Sequence, residues 1–432
     1  MNRRLLTGQT LSFTASPFAV PPEEAVQHHR HGAVLVEDGR IAKVGPAEAL
    51  LAAHPQVPRE DMGEALLMAG FVDAHAHYPQ TGIIASWGKR LIDWLNGYTF
   101  PEEMRFSDPA YAAEIAGLYL DLNAANGITT ACCYCTSAPE SVDALMGAAE
   151  ARGLRLAAGK VMMDRNAPEG LCDTPARGYD ESAALIARWH GRGRLTYVVS
   201  PRFAPTSSPE QLEAAGALWA ANPSCLMQTH LSEQHEEIAW VAGLFPDAPD
   251  YFGVYQRFGL AGPGAVMGHA IHLTARERAA ITETGTGIAH CPTSNTFIGS
   301  GLFDMAAAQR LGVPVGLATD VGGGSSFSML RTMAAAYEIG QLSGTALHPA
   351  QLLWLATQGA ADTLRMGDAI GNLAPGREAD IIALDLASTP VIAQRAGRAE
   401  SLWEQIFPTI MLGDDRAIRA VRTAGNQPRA AA

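Results

Sequence analysis

Two histidines, His75 and His77, stand at the end of an apolar run, residues 67–77, in the order Asp73-Ala74-His75-Ala76-His77. On a β-strand, residues i and i+2 point to the same side, so both imidazoles can reach one ion. Alone, such a pair fits equally well one buried, hydrogen-bonded histidine beside an exposed one. His230 and Asp320, however, end two further runs of the same kind, and three histidines with an aspartate make a good divalent-metal site that keeps a position open. Glu233 follows His230 closely. A carboxyl beside a metal-activated water can shuttle protons; in structural terms Ser232 and Glu233 would cap the helix that follows. His269 ends another run and is expected to stabilise charge at the attacked carbon, while His272 faces the adjoining loop. His290, in AHCP, is expected to hold its loop in shape. Arg202 suits donation to a substrate carbonyl or ring nitrogen, the plain alternative being a surface ion pair. His235, Glu236 and Glu237 read as the solvated face of a helix. Six of the thirteen histidines fall in these short strand ends, which scattered core or surface histidines would not do.

The elements that must position them alternate regularly. Apolar, β-branched runs at 67–77, 128–135, 154–163, 195–204, 224–231, 265–273, 286–291 and 313–320 are separated by helical stretches at 109–126, 139–152, 180–190, 209–221, 234–243, 274–284 and 303–311. Such alternation predicts parallel strands joined by right-handed crossovers. Eight units over about 250 residues predict a (β/α)₈ barrel, whose chemistry gathers at the C-terminal strand ends. An open doubly wound sheet is the second choice, and no GxGxxG follows the first run to support a dinucleotide-binding version. Residues 327–341 and 349–366 are expected to be helical and to close the barrel side. Before the barrel, GAVLVEDGRIAKVG (32–45) reads as a hairpin turning at Asp38-Gly39; HHRH (28–31) reads as an exposed loop. Strand-like runs at 376–385 and 417–422 follow the barrel. Both chain ends, residues 1–66 and 372–432, are thus expected to build a small β-sandwich domain beside a catalytic barrel of residues 67–371.

Composition narrows the function classes. The 432 residues are 47% hydrophobic, 17% charged and 7% aromatic, which excludes a mainly disordered chain. A net charge of −13 with no basic block argues against a nucleic-acid partner. No apolar run approaches the roughly 18 residues of a membrane helix. The opening apolar stretch is broken at Thr7-Gly8-Gln9-Thr10 and reads as a first strand rather than a signal peptide. Six cysteines are too few for a disulfide scaffold. Cys132, Cys133 and Cys135 read as buried small hydrophobes, and a reducing cytoplasm fits them.

The blocks GFVDAHAH (70–77), THLSE (229–233), GHAIHL (268–273), IAHCPTSN (288–295) and LATD (317–320) resemble the amidohydrolase superfamily, in its mononuclear branch of purine, pyrimidine and triazine deaminases. HAHYPQTG (75–82), DWLNGYTFPEE (93–103), SPRFAPTSS (200–208) and TDVGGGSSFSML (319–330) are similar to the subgroup acting on guanine. The resemblance implies hydrolytic deamination of guanine to xanthine and ammonia; another purine, a pterin or a triazine is the alternative substrate. It implies that His75, His77, His230 and Asp320 bind one zinc ion per subunit, although iron accepts the same donors. Asp320 would also take a proton from the attacking water, and Glu233 would pass one to the ring nitrogen and then to the leaving amine. Gln80, Arg202 and Phe203 would hold the purine together with His230, Glu233 and His269, with Trp94 helping to close the pocket. Dinuclear relatives bridge two ions from the end of the fourth strand; Ser200-Pro201-Arg202 offers no such bridge, so a single ion is implied. The family further implies a homodimer. The CCYC block (132–135) departs from the pattern without an assigned role. A barrel that had lost catalysis would show gaps among the ligands, and none is missing.

Overall fold

The computed structural model describes residues 2–87 and 90–427. The chain opens on β1 (Arg3–Phe13), which pairs antiparallel with β2 (Val26–Glu37); β3 (Arg40–Pro46) folds back on β2. Asp38 and Gly39 make that turn with φ of 47° and 82°, the left-handed pair that a two-residue hairpin requires. HHRH is not a loop: it lies inside β2, with His28 and His29 opposite Leu11 and Thr10. Backbone pairing to the long β1 holds it in the ladder, and a strand wet on one face tolerates polar side chains. β4 (Arg59–Ala69) lies parallel to β1 on its other side.

The expected first barrel strand therefore divides at Gly70, where a Cβ would meet Thr129 Oγ1 at 2.2 Å. β4 stays in the small sheet, and β5 (Phe71–His77) enters the barrel. The barrel continues with β6 (Ile128–Tyr134), β7 (Arg155–Gly159), β9 (Leu195–Pro201), β10 (Leu226–Leu231), β11 (Ala265–His269), β12 (Gly287–His290) and β13 (Val315–Leu317), in chain order and all parallel. A short β8 (Val161–Met162) pairs with the end of β9. The expected run 154–163 breaks into β7 and β8 at Lys160, whose buried ammonium pairs with Asp173 and, at 3.3 Å, with Glu181. β13 meets β5 through Asp320 N–H to His75 O (2.9 Å) and His77 N–H to Val321 O (2.6 Å).

Helices Pro109–Ala125, Pro139–Arg152, Pro175–Trp189 and Pro209–Ala221 each begin on proline, whose fixed φ and missing N–H suit a first helical turn. Small residues fill the barrel: Val72, Ala74, Cys132, Ala157, Val198, Val266 and Ala318 pack together inside, whereas Phe71 and Ala76 belong to the outer core. The register of β5 against β6 shifts between Asp73 and Ala76. That bulge changes which parity faces inward, so His75 and His77 follow the interior Ala74 into the barrel mouth.

β14 (Ile381–Leu384) pairs antiparallel with β4, and β15 (Ile418–Arg422) with β14. The two chain ends thus make one six-stranded sheet, β15-β14-β4-β1-β2-β3. The expected helix 349–366 is two, Pro349–Leu355 and Gln358–Thr363; the break leaves Ala356 O to accept from Val72 N–H at 2.9 Å. Among the described residues, no helix is long and apolar enough to cross a membrane.

Candidate active site

β5, β10 and the residues after β13 bring His75, His77, His230 and Asp320 together. His77 Nε2 lies 3.3 Å from His75 Nε2 and 3.2 Å from His230 Nε2. Asp320 Oδ1 lies 3.3 Å from His75 Nε2 and 3.4 Å from His77 Nε2. Donors about 2.0–2.1 Å from a tetrahedral zinc ion would stand about 3.3–3.4 Å apart, so these spacings fit one such ion. Burial lowers the basicity of His75 and His230, and pushes His77 down to about 3. Neutral imidazole is the ligating form. His230 Nδ1 stands 2.7 Å from Arg202 O; donation there leaves Nε2 bare toward the ion. Among the described residues two overlapping groups could hold a metal, His75-His77-His230 and His75-His269-Cys291-Asp320. Asp73 buttresses the ligands from below. Its carboxylate accepts from His75 N–H (3.3 Å), from Thr319 N–H (2.9 Å) and from the Thr319 hydroxyl, tying the β5 end to the β13 end.

The second oxygen of Asp320 points elsewhere. His269 Nε2 lies 3.7 Å from Asp320 Oδ2 and 3.5 Å from Glu233 Oε2, so the imidazole sits between two carboxylates. Asn295 Oδ1, 2.9 Å from His269 Nδ1, fixes the ring, and Ser300 Oγ donates to Glu233 Oε1 at 2.8 Å. Burial pushes the Glu233 carboxyl up to about 7. Burial opposes charge on His269, yet the Glu233 and Asp320 carboxylates outweigh it and raise its basicity. Ser232, His269, Ala270 and Asp320 take positive φ of 49°, 66°, 49° and 48°. Left-handed backbone on such residues costs on the order of 1–3 kcal/mol each and persists where surroundings over-determine it.

Glu233 is not the helix cap. Gln234 caps His235–Leu244 in a capping box with Glu237. Glu237, expected on a solvated face, is buried and accepts from Glu233 N–H (2.9 Å), Gln234 N–H (3.1 Å) and Tyr251 OH (2.7 Å). The helix axis turns that residue back under its own first turn, where a carboxylate satisfies the orphan N–H groups. Relieved of capping, the Glu233 side chain is available to the pocket.

A pocket opens over these groups, lined among others by His77, Gln80, Trp94, Arg202, Phe203 and Glu233. Arg202 is not in a surface pair: it is buried, with Nη1 donating to both oxygens of Glu103 (3.0 and 2.7 Å). Gln80 donates to the same Glu103 at 3.0 Å and accepts from Gly322 N–H at 3.2 Å. His272 stays outside, 2.8 Å from Ser300 O and against the ring of His235; His290 stacks on Phe303. The six cysteines are free, and Cys132, Cys133 and Cys135 are buried.

Residues 66–425 match the model of the amidohydrolase family. The chain belongs to the amidohydrolase family. A short stretch of this amidohydrolase, residues 32–56, also matches an imidazolonepropionase-like composite domain of bacteria. It is 43% identical to the guanine deaminase of Escherichia coli over 92% of this chain and 91% of that protein. The solved E. coli guanine deaminase superposes with a TM-score of 0.96 at 40% identity, covering 99% of this chain and 100% of the other. A guanine deaminase from C. acetobutylicum with guanine bound in its active site superposes with a TM-score of 0.89 at 27% identity, covering 99% and 100%.

Some site residues of this amidohydrolase escape reading by residue type. Glu103 sits in FPEE without a period that marks it as buried. Asn295 lies in the short helix Pro292–Phe297 after β12 and Ser300 in the loop that follows it, and neither residue type by itself marks a site. Asp73 is the one with a usable signal: a carboxylate inside an apolar run needs partners, and it stands two residues before the first of the two histidines.

Proposed function

We propose that this amidohydrolase removes the 2-amino group of guanine with water, giving xanthine and ammonia. The observation that carries this is the meeting of His75, His77, His230 and Asp320 within ligand spacing, beside the Glu233–His269–Asp320 row and beneath a pocket with polar readers at one edge. The relatives named guanine deaminase, one holding guanine, support the substrate.

His75, His77, His230 and Asp320 would hold one zinc ion, and iron suits the same donors. A divalent cation bound there supplies Lewis acidity, which can bring the pKa of a coordinated water to about 7. The chain's own groups do the rest. Asp320 offers Oδ1 to the ion side and Oδ2 to the side of His269, so Oδ2 is placed to take the proton of the attacking water. His269 steadies negative charge developing at the attacked centre. Glu233, with a carboxyl near neutrality, gives its proton to the ring nitrogen beside the attacked carbon, collects the remaining proton of the added water and passes it to the departing amine. The proton held by Asp320 then returns to Glu233, on the far side of His269, and closes the cycle. The amino group leaves poorly as an amide anion, and this delivery lets it depart as neutral ammonia. Gln80 and Arg202 bind the purine edge, Phe203 packs against the ring, and Trp94 covers it.

The same reading takes residues 67–371 as the catalytic unit and 1–66 with 372–432 as the small β unit. It places the protein in purine catabolism or salvage in a reducing cytoplasm, a compartment supported by its free cysteines, and as a homodimer, supported by the family resemblance. A membrane or nucleic-acid partner has no place in it.

Ammonia release from a panel of bases tests the substrate. Guanine is expected to turn over at least about a hundredfold better, in kcat/KM, than adenine, a pterin or an aminotriazine, because buried readers left unpaired penalise the wrong base. An inert guanine beside an active pterin or triazine would move the substrate elsewhere in the family.

A further inference from the structure

We propose that Glu103 is a positioning residue that sets substrate specificity, by locking Gln80 and Arg202 into the arrangement that reads an oxo-purine edge; this rests on the guanine reading above. Glu103 ends the short helical turn Phe100–Glu103 and is 1% exposed. A carboxylate so buried needs partners, and among the described residues its hydrogen-bond partners are the pocket's two polar readers. Oε1 accepts from Gln80 Nε2 at 3.0 Å and from Arg202 Nη1 at 3.0 Å, while Oε2 accepts from Arg202 Nη1 at 2.7 Å.

Each partner is constrained in turn. A glutamine amide can turn either its oxygen or its nitrogen toward a neighbour. With Nε2 on Glu103 and Oε1 accepting from Gly322 N–H at 3.2 Å, Gln80 has one orientation. Arg202 has Nη1 committed to Glu103 and its guanidinium carbon 5.6 Å from the centre of the Phe100 ring. Among the described residues nothing accepts from its Nε or Nη2. Two adjacent donors of one guanidinium match the O6 and N7 acceptors of guanine, whereas a 6-aminopurine presents a donor at that place. A carboxylate already accepting three bonds also has little capacity left to receive that amino group. Glu103 thereby supports the correct base and withholds support from the wrong one. Because Trp94 and Leu95 lie just ahead of it and line the pocket, the same bonds seat that covering segment on the end of β9.

The test compares Glu103→Gln and Glu103→Asp with the unaltered, metal-loaded protein, on guanine and on 2,6-diaminopurine. Both bases carry the 2-amino group that leaves; they differ at position 6. In Glu103→Gln the NH₂ takes one of the two oxygen positions, and because Arg202 Nη1 faces both, donor meets donor either way. The KM for guanine is expected to rise at least about tenfold with kcat within about threefold, and the guanine-to-diaminopurine ratio of kcat/KM to fall at least about tenfold. Metal content should not change. Glu103→Asp, which keeps the charge, should retain most of the preference. A Glu103→Gln protein with unchanged KM and ratio would overturn the proposal, as would equal losses on both bases in the two variants, which is how a merely structural residue behaves. An unaltered protein inert toward guanine would overturn the functional reading itself and this inference with it.

Discussion

Glu233→Gln is expected to yield a folded protein with its full complement of metal and a kcat lowered by about 10²–10⁴-fold, the usual worth of a placed acid–base group. Glutamine keeps the shape and an oxygen to accept from Ser300 Oγ, now 2.8 Å from Glu233 Oε1. It cannot carry a proton between the water side and the departing amine. Burial holds the Glu233 carboxyl near 7, so its protonated and ionised forms coexist at neutral pH, as a carrier requires. The sign for stability follows. An acid whose folded pKa lies above its unfolded value costs stability as pH rises from about 4.3 toward 7. The uncharged isostere removes that cost, so the melting temperature at neutral pH should hold or rise. A steady-state assay with metal analysis and a melting curve reads all three. Turnover within tenfold of the unaltered protein would take proton delivery away from Glu233.

His75→Ala should behave differently, losing metal and activity together. His75 is fully buried, and its Nε2 faces both His77 and Asp320 across 3.3 Å. Its removal deletes one of four donors and leaves Asp320 Oδ1 with a single imidazole nearby. Metal per subunit is expected to fall far below one. Guanine kcat/KM should drop by more than about 10⁴-fold, since Lewis-acid stabilisation of several kcal/mol is lost and each 1.36 kcal/mol is tenfold. Excess zinc in the assay should restore little. Retained metal with retained turnover would exclude His75 as a ligand.

The contrast between these two variants rests on positions that are legible at different levels. The barrel and the strand-end histidines can be read from periodicity, because a parallel strand buried on both faces is a continuous apolar run and polar residues survive only at its functional end. His75, His77, His230, His269 and Asp320 stand out for that reason. The hairpin at Asp38-Gly39 is legible because its turn demands positive φ.

What escapes reading depends on three-dimensional partners. Strict alternation along residues 71–77 would place Ala74 and His75 on opposite sides; the bulge between Asp73 and Ala76 brings both inward. No local residue type announces that slip. Glu237 resembles its exposed neighbour Glu236 in type, and only the capping geometry separates them. Glu103 is similar: its burial follows from Arg202 and Gln80, far away in the chain. HHRH reads as a loop because its strand is held by backbone pairing to β1 rather than by apolar side chains.

The central claim is that four side chains, from β5, β10 and the residues after β13, share one ion on which guanine turnover depends. Its most direct test strips the purified protein of metal with a chelator, then adds zinc in small steps while guanine deamination and bound zinc are both measured. The expected result is no turnover in the stripped protein and recovery that rises linearly and stops at one zinc per subunit. Full activity without metal, or recovery that stops only at two, would contradict it.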